Sequence, residues 1–203
     1  MVAKHQTDTA LDELIIVDNF YSDPDSIRQK ALKRKYHEPP NNSARLAKTS
    51  ECNESEIQAM CQLLQPHVKK TNIMGVGIVY RYSLADTVKK AYCHVDGCAY
   101  AGIVYLSLPE DCAGGTTIFR HKPTGDEIFD PQHEHMYDFL DESQWEIIKE
   151  IDMVYNRLVM YPGQLFHSIT PVFFGDDINN ARLTQNVFIY CQGDPVLKDK
   201  IIK

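Results

Sequence analysis

Short apolar or aromatic segments, separated by turn residues, dominate the chain from Met74 onward. Such segments are typical of β-strands, because β-branched and aromatic side chains pack well on a pleated sheet. The predicted strands span residues 75–83, 91–96, 99–107, 116–119, 153–161, 164–169 and 182–191. A series of this kind predicts an antiparallel β-domain with a sandwich-like or barrel-like core.

A strand and two helices are predicted before this β-region. Residues 14–20 are apolar and β-branched, as expected of a strand. The first helix is predicted over residues 25–36, since a small polar residue and a proline precede it and good helix formers follow. The second is predicted over residues 54–64, where apolar residues recur at helical spacing. Residues 39–50 are polar and turn-rich, which predicts a surface loop.

A polar segment with prolines and a glycine interrupts the β-pattern at residues 120–141. Loops carried by a rigid β-scaffold often determine specificity, so this insertion is interpreted as a lid or substrate loop, with a plain connector as the alternative. A short helix is predicted next, over residues 142–151, with Trp145 as its core anchor.

The chain has 203 residues, a length that fits one domain. We predict a single domain over residues 1–203, with the N-terminal strand and the supporting helices in residues 1–70. Residues 74–191 are predicted to form the β-core, into which residues 120–152 are inserted.

The composition excludes several classes of partner. The formal net charge of -7 argues against nucleic acid, because binding to phosphates rests on clustered positive charge. No apolar stretch approaches the roughly 20 residues needed to span a bilayer, so no membrane partner is expected. The N-terminus lacks the apolar core of a secretion signal, and the six cysteines form no Cys-x-x-Cys pair. We therefore expect a cytoplasmic protein with reduced thiols.

His94 and Asp96 are one residue apart in a predicted strand, where side chains alternate between faces, so both point the same way. Two such ligands and a third from a distant strand make the 2-His-1-carboxylate facial triad, which leaves three positions open on an octahedral iron. By itself, a His-x-Asp pair is more simply explained by a hydrogen-bonded histidine beside a surface aspartate. The wider sequence decides between the two interpretations.

Two later segments favour the metal interpretation. His167 ends the apolar segment 163–167, where a buried histidine needs polar partners. Arg182 opens the last predicted strand, and Thr184 lies two positions later on the same face. A guanidinium beside a hydroxyl is a good receptor for a carboxylate, because it offers paired donors and stays charged.

The motifs follow a recognisable order. The stretch HVDGCAYAGIVYLSLPEDCAGGTTIF contains His-x-Asp, a strand ending in YLS, a Gly-Gly-Thr turn and a phenylalanine; HSITPV and Arg182-Leu183-Thr184 come later. This order resembles the prolyl-4-hydroxylase-like branch of the 2-oxoglutarate/Fe(II)-dependent oxygenase superfamily over residues 75–191. The resemblance implies a mainly β fold with flanking helices around a double-stranded β-helix, a jelly-roll or cupin-like core. The N-terminal segment is also similar to an uncharacterised bacterial and phage subfamily.

The resemblance implies that His94, Asp96 and His167 hold Fe(II) and that Arg182 pairs with the distal carboxylate of 2-oxoglutarate. It implies a dioxygenase that uses O₂, releases succinate and CO₂, and hydroxylates a small molecule or a peptide or protein side chain. Retention of Asp96 favours hydroxylation over halogenation. The alternatives are a catalytically silent jelly-roll module that binds a ligand or partner, and a metal-dependent hydrolase or isomerase.

Other residues have weaker assignments. The resemblance implies that Thr184 supplies a hydroxyl to the co-substrate and that Tyr105 bonds the same carboxylate, with Tyr82 as a second candidate; each tyrosine is otherwise a core aromatic. His121 is either a substrate contact at the pocket mouth or a surface residue. The run at residues 133–135, His-Glu-His, is interpreted as a solvated loop rather than a second metal site.

Overall fold

The computed structural model describes residues 10–37, 48–68, 72–86 and 91–193. Within these residues the chain forms two α-helices, α1 (Pro24–Leu32) and α2 (Glu54–Leu64). The strands, in chain order, are β1 (Ile15–Val17), β2 (Lys48–Glu51), β3 (Ile73–Ser83), β4 (Tyr100–Tyr105), β5 (Gly115–His121), β6 (Trp145–Asp152), β7 (Leu158–Pro162), β8 (His167–Ile169) and β9 (Arg182–Cys191). Short 3-10 turns lie at Ala10–Glu13, Pro109–Asp111, Pro131–Met136 and Glu142–Gln144.

The strands make two antiparallel sheets. The larger sheet has the order β1-β7-β4-β9-β3-β2, and the smaller one has the order β6-β5-β8. Strand β9 lies at the centre of the larger sheet, paired with β3 on one side and with β4 on the other. The predicted mainly β, antiparallel architecture with flanking helices is confirmed.

Both helices begin with a side-chain cap and pack on one face of the larger sheet. The Asp23 carboxylate accepts a hydrogen bond from the Ser26 N–H at 3.1 Å, and Asn53 and Glu56 cap α2 reciprocally. Helix α1 ends at Leu32 rather than at residue 36. The core on this face includes Ala31, Met60, Leu64, Val76, Ile78, Leu158, Leu183 and Val187. None of the described helices has the length and apolar character to cross a membrane.

Alternate residues of the central strands face two different cores. In β4, Val104 packs toward the helices, whereas Ile103 and Tyr105 pack with Ile118 of the smaller sheet. In β9, Leu183 faces the helices, so its neighbours on either side face the space between the sheets. We call this second face the inner face of the larger sheet. It carries polar and charged side chains as well as apolar ones.

Residues 142–151 contradict the prediction of a helix. Only residues 142–144 form a helical turn, and β6 then pairs with β5 along its length. Trp145 and Ile151 are buried whereas Ile147 is exposed, and the pairing register with β5 shifts between Ile147 and Lys149, as at a β-bulge. The isoleucines of this segment also fit helical spacing, but β-branched side chains favour strands. Trp145 is a core residue as predicted, although it lies in a strand.

Part of the predicted surface loop at residues 39–50 is also a strand. Residues 48–51 form β2 and pair with β3, from Lys48 opposite Tyr82 to Glu51 opposite Val79. The preceding residues of the loop lie outside the described residues.

An aromatic cluster joins the insertion to the smaller sheet. Phe139 stacks on Trp145 with ring centroids 5.5 Å apart, and Tyr137 meets Phe166 edge-on at 5.0 Å. The Tyr137 hydroxyl also donates to the Asp126 carboxylate at 2.7 Å. Each aromatic pair in such an arrangement stabilises the fold by about 0.5–1.5 kcal/mol beyond the contribution of its buried area. The insertion is therefore a packed part of the β-domain.

The two-face arrangement of the larger sheet predicts where truncation destabilises the fold. Leu158 is fully buried in the core beneath the helices, so Leu158→Ala should lower the free energy of unfolding by about 2–5 kcal/mol. Ile147, with 56% of its surface exposed, is the matched control, and Ile147→Ala should change stability by about 0.5 kcal/mol or less. Urea denaturation measures both, and equal effects would contradict the packing described.

Candidate metal centre

Backbone hydrogen bonds bring two distant segments together at one end of the inner face. The His94 N–H donates to the His167 carbonyl at 2.9 Å, and the His167 N–H donates back to the His94 carbonyl at 3.0 Å. The Asp96 N–H donates to the Gly163 carbonyl at 2.7 Å. The predicted strand at residues 91–96 is thus reduced to a single β-bridge. The bridge nevertheless holds His94 and Asp96 beside His167.

The side chains of His94, Asp96 and His167 converge. The His167 Nε2 lies 3.3 Å from the Asp96 Oδ2, and the two imidazole centroids are 4.4 Å apart. One donor atom from each residue lies within 4.8 Å of the other two. First-row metal ions bind such donors at about 2.1 Å, so the three are close enough to share one ion. Among the described residues, these three form the group of potential ligands that converges in this way.

The two histidines are oriented by the backbone. The His94 Nδ1 lies 3.0 Å from the Tyr92 carbonyl, and the His167 Nδ1 lies 2.8 Å from the Leu165 carbonyl. Because a carbonyl only accepts, each Nδ1 carries a proton and donates it. Neutral rings then present an unprotonated Nε2. Two such lone pairs beside the Asp96 carboxylate repel one another unless a cation lies among them, so this donor set fits a metal ion.

The surroundings favour the protonation states that metal binding requires. The pKa of His94 is lowered to about 4, first by loss of hydration among the surrounding protein atoms and then by the neighbouring His167 ring. The residue nevertheless stays accessible to solvent. Burial by itself would raise the pKa of Asp96, but the adjacent His167 and His94 side chains hold it below its usual value. At neutral pH, His94 is neutral and Asp96 is ionised, which are the metal-binding forms.

Gly163 permits the close approach that positions Asp96. Its N–H donates to the Ala99 carbonyl at 3.0 Å while its carbonyl accepts from Asp96. A Cβ at this position would lie 2.2 Å from the Cys98 carbonyl oxygen and 3.0 Å from that of Asp96. No side chain fits such a gap without displacing the backbone that carries the carboxylate.

Arg182 is a buried cation at the start of β9. Its side chain is almost inaccessible: the Nη2 donates to the Gly115 carbonyl at 3.3 Å, and the Nε is buried without a hydrogen-bond partner among residues 10–37, 48–68, 72–86 and 91–193. No carboxylate of the described residues forms an ion pair with it, and its burial lowers its pKa. Gly115, whose carbonyl accepts this hydrogen bond, must be a glycine, because its φ is +153° and a Cβ would lie 1.9 Å from the Ile151 carbonyl oxygen. A buried, unpaired guanidinium is a receptor for an anion.

Tyr105 and Thr184 lie beside Arg182 on the inner face. Tyr105 is opposite Thr184 in the pairing of β4 with β9, and its ring lies 5.8 Å from the Arg182 Cζ. The Tyr105 hydroxyl shares a hydrogen bond of 2.7 Å with the Thr116 hydroxyl, and the Thr184 hydroxyl donates to the Asn186 side chain at 2.8 Å. Tyr105 and Thr184 thus share a face with Arg182, and their hydroxyls are hydrogen-bonded to Thr116 and Asn186.

Other sequence-predicted residues lie away from this region. Tyr82 is opposite Leu183, so it faces the helices, where its ring packs on Tyr36 at 4.9 Å. His121 is fully buried, with its Nδ1 2.8 Å from the Thr124 hydroxyl and its Nε2 3.2 Å from the Gln144 amide oxygen. It is neither a surface residue nor at the mouth of a pocket, which corrects both interpretations of it.

The His-Glu-His run lies in the 3-10 turn at Pro131–Met136. Its His133 pairs with the Asp126 carboxylate at 2.8 Å, and Glu134 and His135 are exposed. These side chains form no converging donor group among the described residues.

Sequence reasoning missed two residues on the inner face. Arg81 lies opposite Thr184 in the pairing of β3 with β9, and the Tyr161 ring lies 4.6 Å from the His167 ring. Arg81 is the one charged residue of the β3 sequence IMGVGIVYRYS, and a charged residue in an otherwise uncharged strand could have identified it as functional. Tyr161 carried no comparable signal, since a buried tyrosine in an apolar strand is common.

Three solved structures share this fold. A prolyl-4-hydroxylase from Pseudomonas putida matches with a TM-score of 0.55 at 11% identity, covering 89% of this chain and 94% of its own. HygX from Streptomyces hygroscopicus, solved with nickel, 2-oxoglutarate and hygromycin B, matches with a TM-score of 0.57 at 10% identity, covering 90% and 85%. IDO from Bacillus thuringiensis matches with a TM-score of 0.51 at 13% identity, covering 95% and 100%. These likenesses confirm the predicted jelly-roll core.

Sequence comparison identifies the family. No curated protein matches the chain in sequence. A family model described as "Family of unknown function (DUF6445)" matches residues 1–189, which is nearly the whole chain. The chain is therefore a member of the DUF6445 family.

Proposed function

We propose that this chain is a dioxygenase dependent on Fe(II) and 2-oxoglutarate. In this proposal it hydroxylates a small molecule, or a peptide or protein side chain, and releases succinate and CO₂. The observation that carries the proposal is the combination of three converging metal donors with a buried arginine that has no carboxylate partner among the described residues. Either feature alone has simpler explanations, such as a structural metal site or a strained core residue.

His94, Asp96 and His167 would hold the metal. Three ligands on one face of an octahedral ion leave three positions for the co-substrate and for O₂. Bound Fe(II), together with 2-oxoglutarate and O₂, supplies the oxidising chemistry. The residues of the chain orient the metal donors. The Tyr92 and Leu165 carbonyls fix the two imidazole rings, and the missing side chain of Gly163 lets the Asp96 backbone pack against the Gly163 backbone.

Arg182 would bind the distal carboxylate of 2-oxoglutarate. Its fixed, charged fork suits a carboxylate, and a dianion relieves the cost of the unpaired cation. The hydroxyls of Tyr105 and Thr184 lie on the same face and are proposed to bond this carboxylate as well. Tyr161 links the two ends of the site, since it contacts the His167 ring and interacts electrostatically with Arg182.

The solved relatives support the choice of metal and co-substrate. HygX was crystallised with nickel or iron and with 2-oxoglutarate, and the epimerase SnoN with Fe³⁺ and the same keto acid. These structures match this chain at 10% to 12% identity, and hydroxylation is the outcome that we propose for it.

The first prediction concerns turnover. Wild-type protein loaded anaerobically with Fe(II) should form succinate from 2-oxoglutarate when O₂ is admitted, even without a primary substrate. His94→Ala and Asp96→Ala should form none above the rate without protein, since each removes a metal donor. Glu134→Ala, in the exposed His-Glu-His run, is the control and should retain the wild-type rate. Full succinate formation in His94→Ala would contradict the assignment.

The second prediction separates co-substrate binding from metal binding. Arg182→Gln should weaken 2-oxoglutarate binding to the Ni(II)-loaded protein by about 30-fold or more, because losing one partner of a buried charged pair costs about 2–5 kcal/mol. Affinity for Ni(II) should stay the same. Calorimetric titration measures both constants, and Arg120→Gln, an exposed arginine paired with Glu127, is the control. Unchanged 2-oxoglutarate affinity in Arg182→Gln would remove the role proposed for Arg182.

The third prediction tests the backbone support of Asp96. Gly163→Ala should weaken Ni(II) binding by about tenfold or more, as is usual when a residue supporting a metal ligand is disturbed. Gly75→Ala is the matched control, since a Cβ at Gly75 meets no atom within 4 Å. Equilibrium dialysis against a competing chelator gives both affinities. Equal affinity in the two variants would show that Gly163 does not position the ligand.

A further inference from the structure

Arg81 is a second cation on the inner face. It lies opposite Thr184 in the pairing of β3 with β9, and Thr184 lies opposite Tyr105 in the pairing of β9 with β4. Residues directly opposite in antiparallel strands point to the same face. Arg81 therefore shares a row with two residues of the proposed co-substrate pocket, and it is diagonal to Arg182.

Within the described residues the Arg81 side chain has neither an ion pair nor a hydrogen bond, and its Nε is buried without a partner. Its Cζ lies 5.9 Å from the centroid of the Phe188 ring. A guanidinium against an aromatic ring keeps the N–H groups in its own plane available for an oxyanion. The residue is half-buried, and a partly buried cation without an ion pair is unfavourable unless a ligand compensates it.

Arg81 lies at the metal end of the site, whereas Arg182 lies at the far end. Arg81 interacts electrostatically with Asp96, His94 and Tyr161. Arg182 interacts electrostatically with Tyr105, with Tyr161 and with Arg81 itself. The distal carboxylate of the co-substrate therefore has its own partner, and its other carboxylate is a metal ligand in the proposed function. Neither requires Arg81.

The net charge of the site also favours the binding of a further anion. A divalent metal and two guanidinium groups carry four positive charges, and Asp96 is the carboxylate that interacts with Arg81. Bound 2-oxoglutarate adds two negative charges. The site is then one negative charge short of neutrality, beside the open metal position.

From these observations, and resting on the proposed function, we propose that the primary substrate carries a carboxylate and that Arg81 binds it. The carboxylate would place the substrate next to the metal, on the side of Asp96 and Phe188. The substrate class is thus an organic acid, such as an amino acid or a peptide bearing a carboxylate, rather than a neutral or cationic molecule. Arg81 selects the substrate, and Arg182 selects the co-substrate.

The test uses propionate as the probe and propionamide as its neutral equivalent. Both are titrated by saturation-transfer NMR into Zn(II)-loaded protein saturated with 2-oxoglutarate, in which no turnover occurs. Wild type should prefer propionate by about tenfold or more, and Arg81→Gln should abolish that preference. Arg81→Lys should retain part of it, since lysine keeps the charge but loses the paired donors. Arg120→Gln, the exposed control, should keep all of it.

Two outcomes would overturn the inference about Arg81. One is equal propionate affinity in wild type and in Arg81→Gln. The other is a loss of 2-oxoglutarate affinity in Arg81→Gln of more than about threefold, which would assign Arg81 to the co-substrate. Failure of the metal-loaded wild type to bind 2-oxoglutarate is a different result, because it contradicts the proposed function itself. Retained 2-oxoglutarate binding in Arg81→Gln also shows that the variant is folded.

Discussion

The reciprocal backbone pairing of His94 with His167 is the interaction on which the candidate site depends. These hydrogen bonds, of 2.9 and 3.0 Å, join segments that are far apart in the sequence. They fix the positions of two imidazoles, while the Tyr92 and Leu165 carbonyls fix their orientation. His94 and Asp96 lie outside the named strands, and the bridge to His167 of β8 ties them to the β-framework. Sites held by strands and by backbone hydrogen bonds keep their geometry better than sites on loops.

The second organising constraint is the burial of positive charge. In the part of the chain that the structure describes, Arg182 and Arg81 each have a buried Nε without a partner, on the same face of one sheet. A fold selected for stability alone would place apolar residues there, since an unpaired buried cation is unfavourable. Local departures of this kind concentrate at functional sites, where a ligand compensates them. The inner face is therefore interpreted as a surface built to receive anions next to a metal.

Much of this arrangement could be predicted because it rests on periodicity and motif order. The β-domain and α2 followed from apolar spacing, and His94, Asp96 and Arg182 stood out as polar groups in apolar strands. The errors have physical causes. Residues 142–151 fit helical and strand spacing alike, and pairing with β5 selects the strand. Which side of the sheet Tyr82 lies on depends on how β3 is aligned with β9, and this alignment cannot be read from a single sequence.

We expect the three metal donors and Arg182 to act together on one ligand pair, Fe(II) and 2-oxoglutarate. Optical titration of the anaerobic protein tests it most directly, because a keto acid chelated to Fe(II) gives a visible absorption band that neither component gives alone. Wild-type protein should give a band only when protein, Fe(II) and 2-oxoglutarate are all present. The band should be absent in Asp96→Ala, and in Arg182→Gln it should need a higher 2-oxoglutarate concentration. Absence of the band in wild-type protein at saturating Fe(II) and 2-oxoglutarate would contradict it.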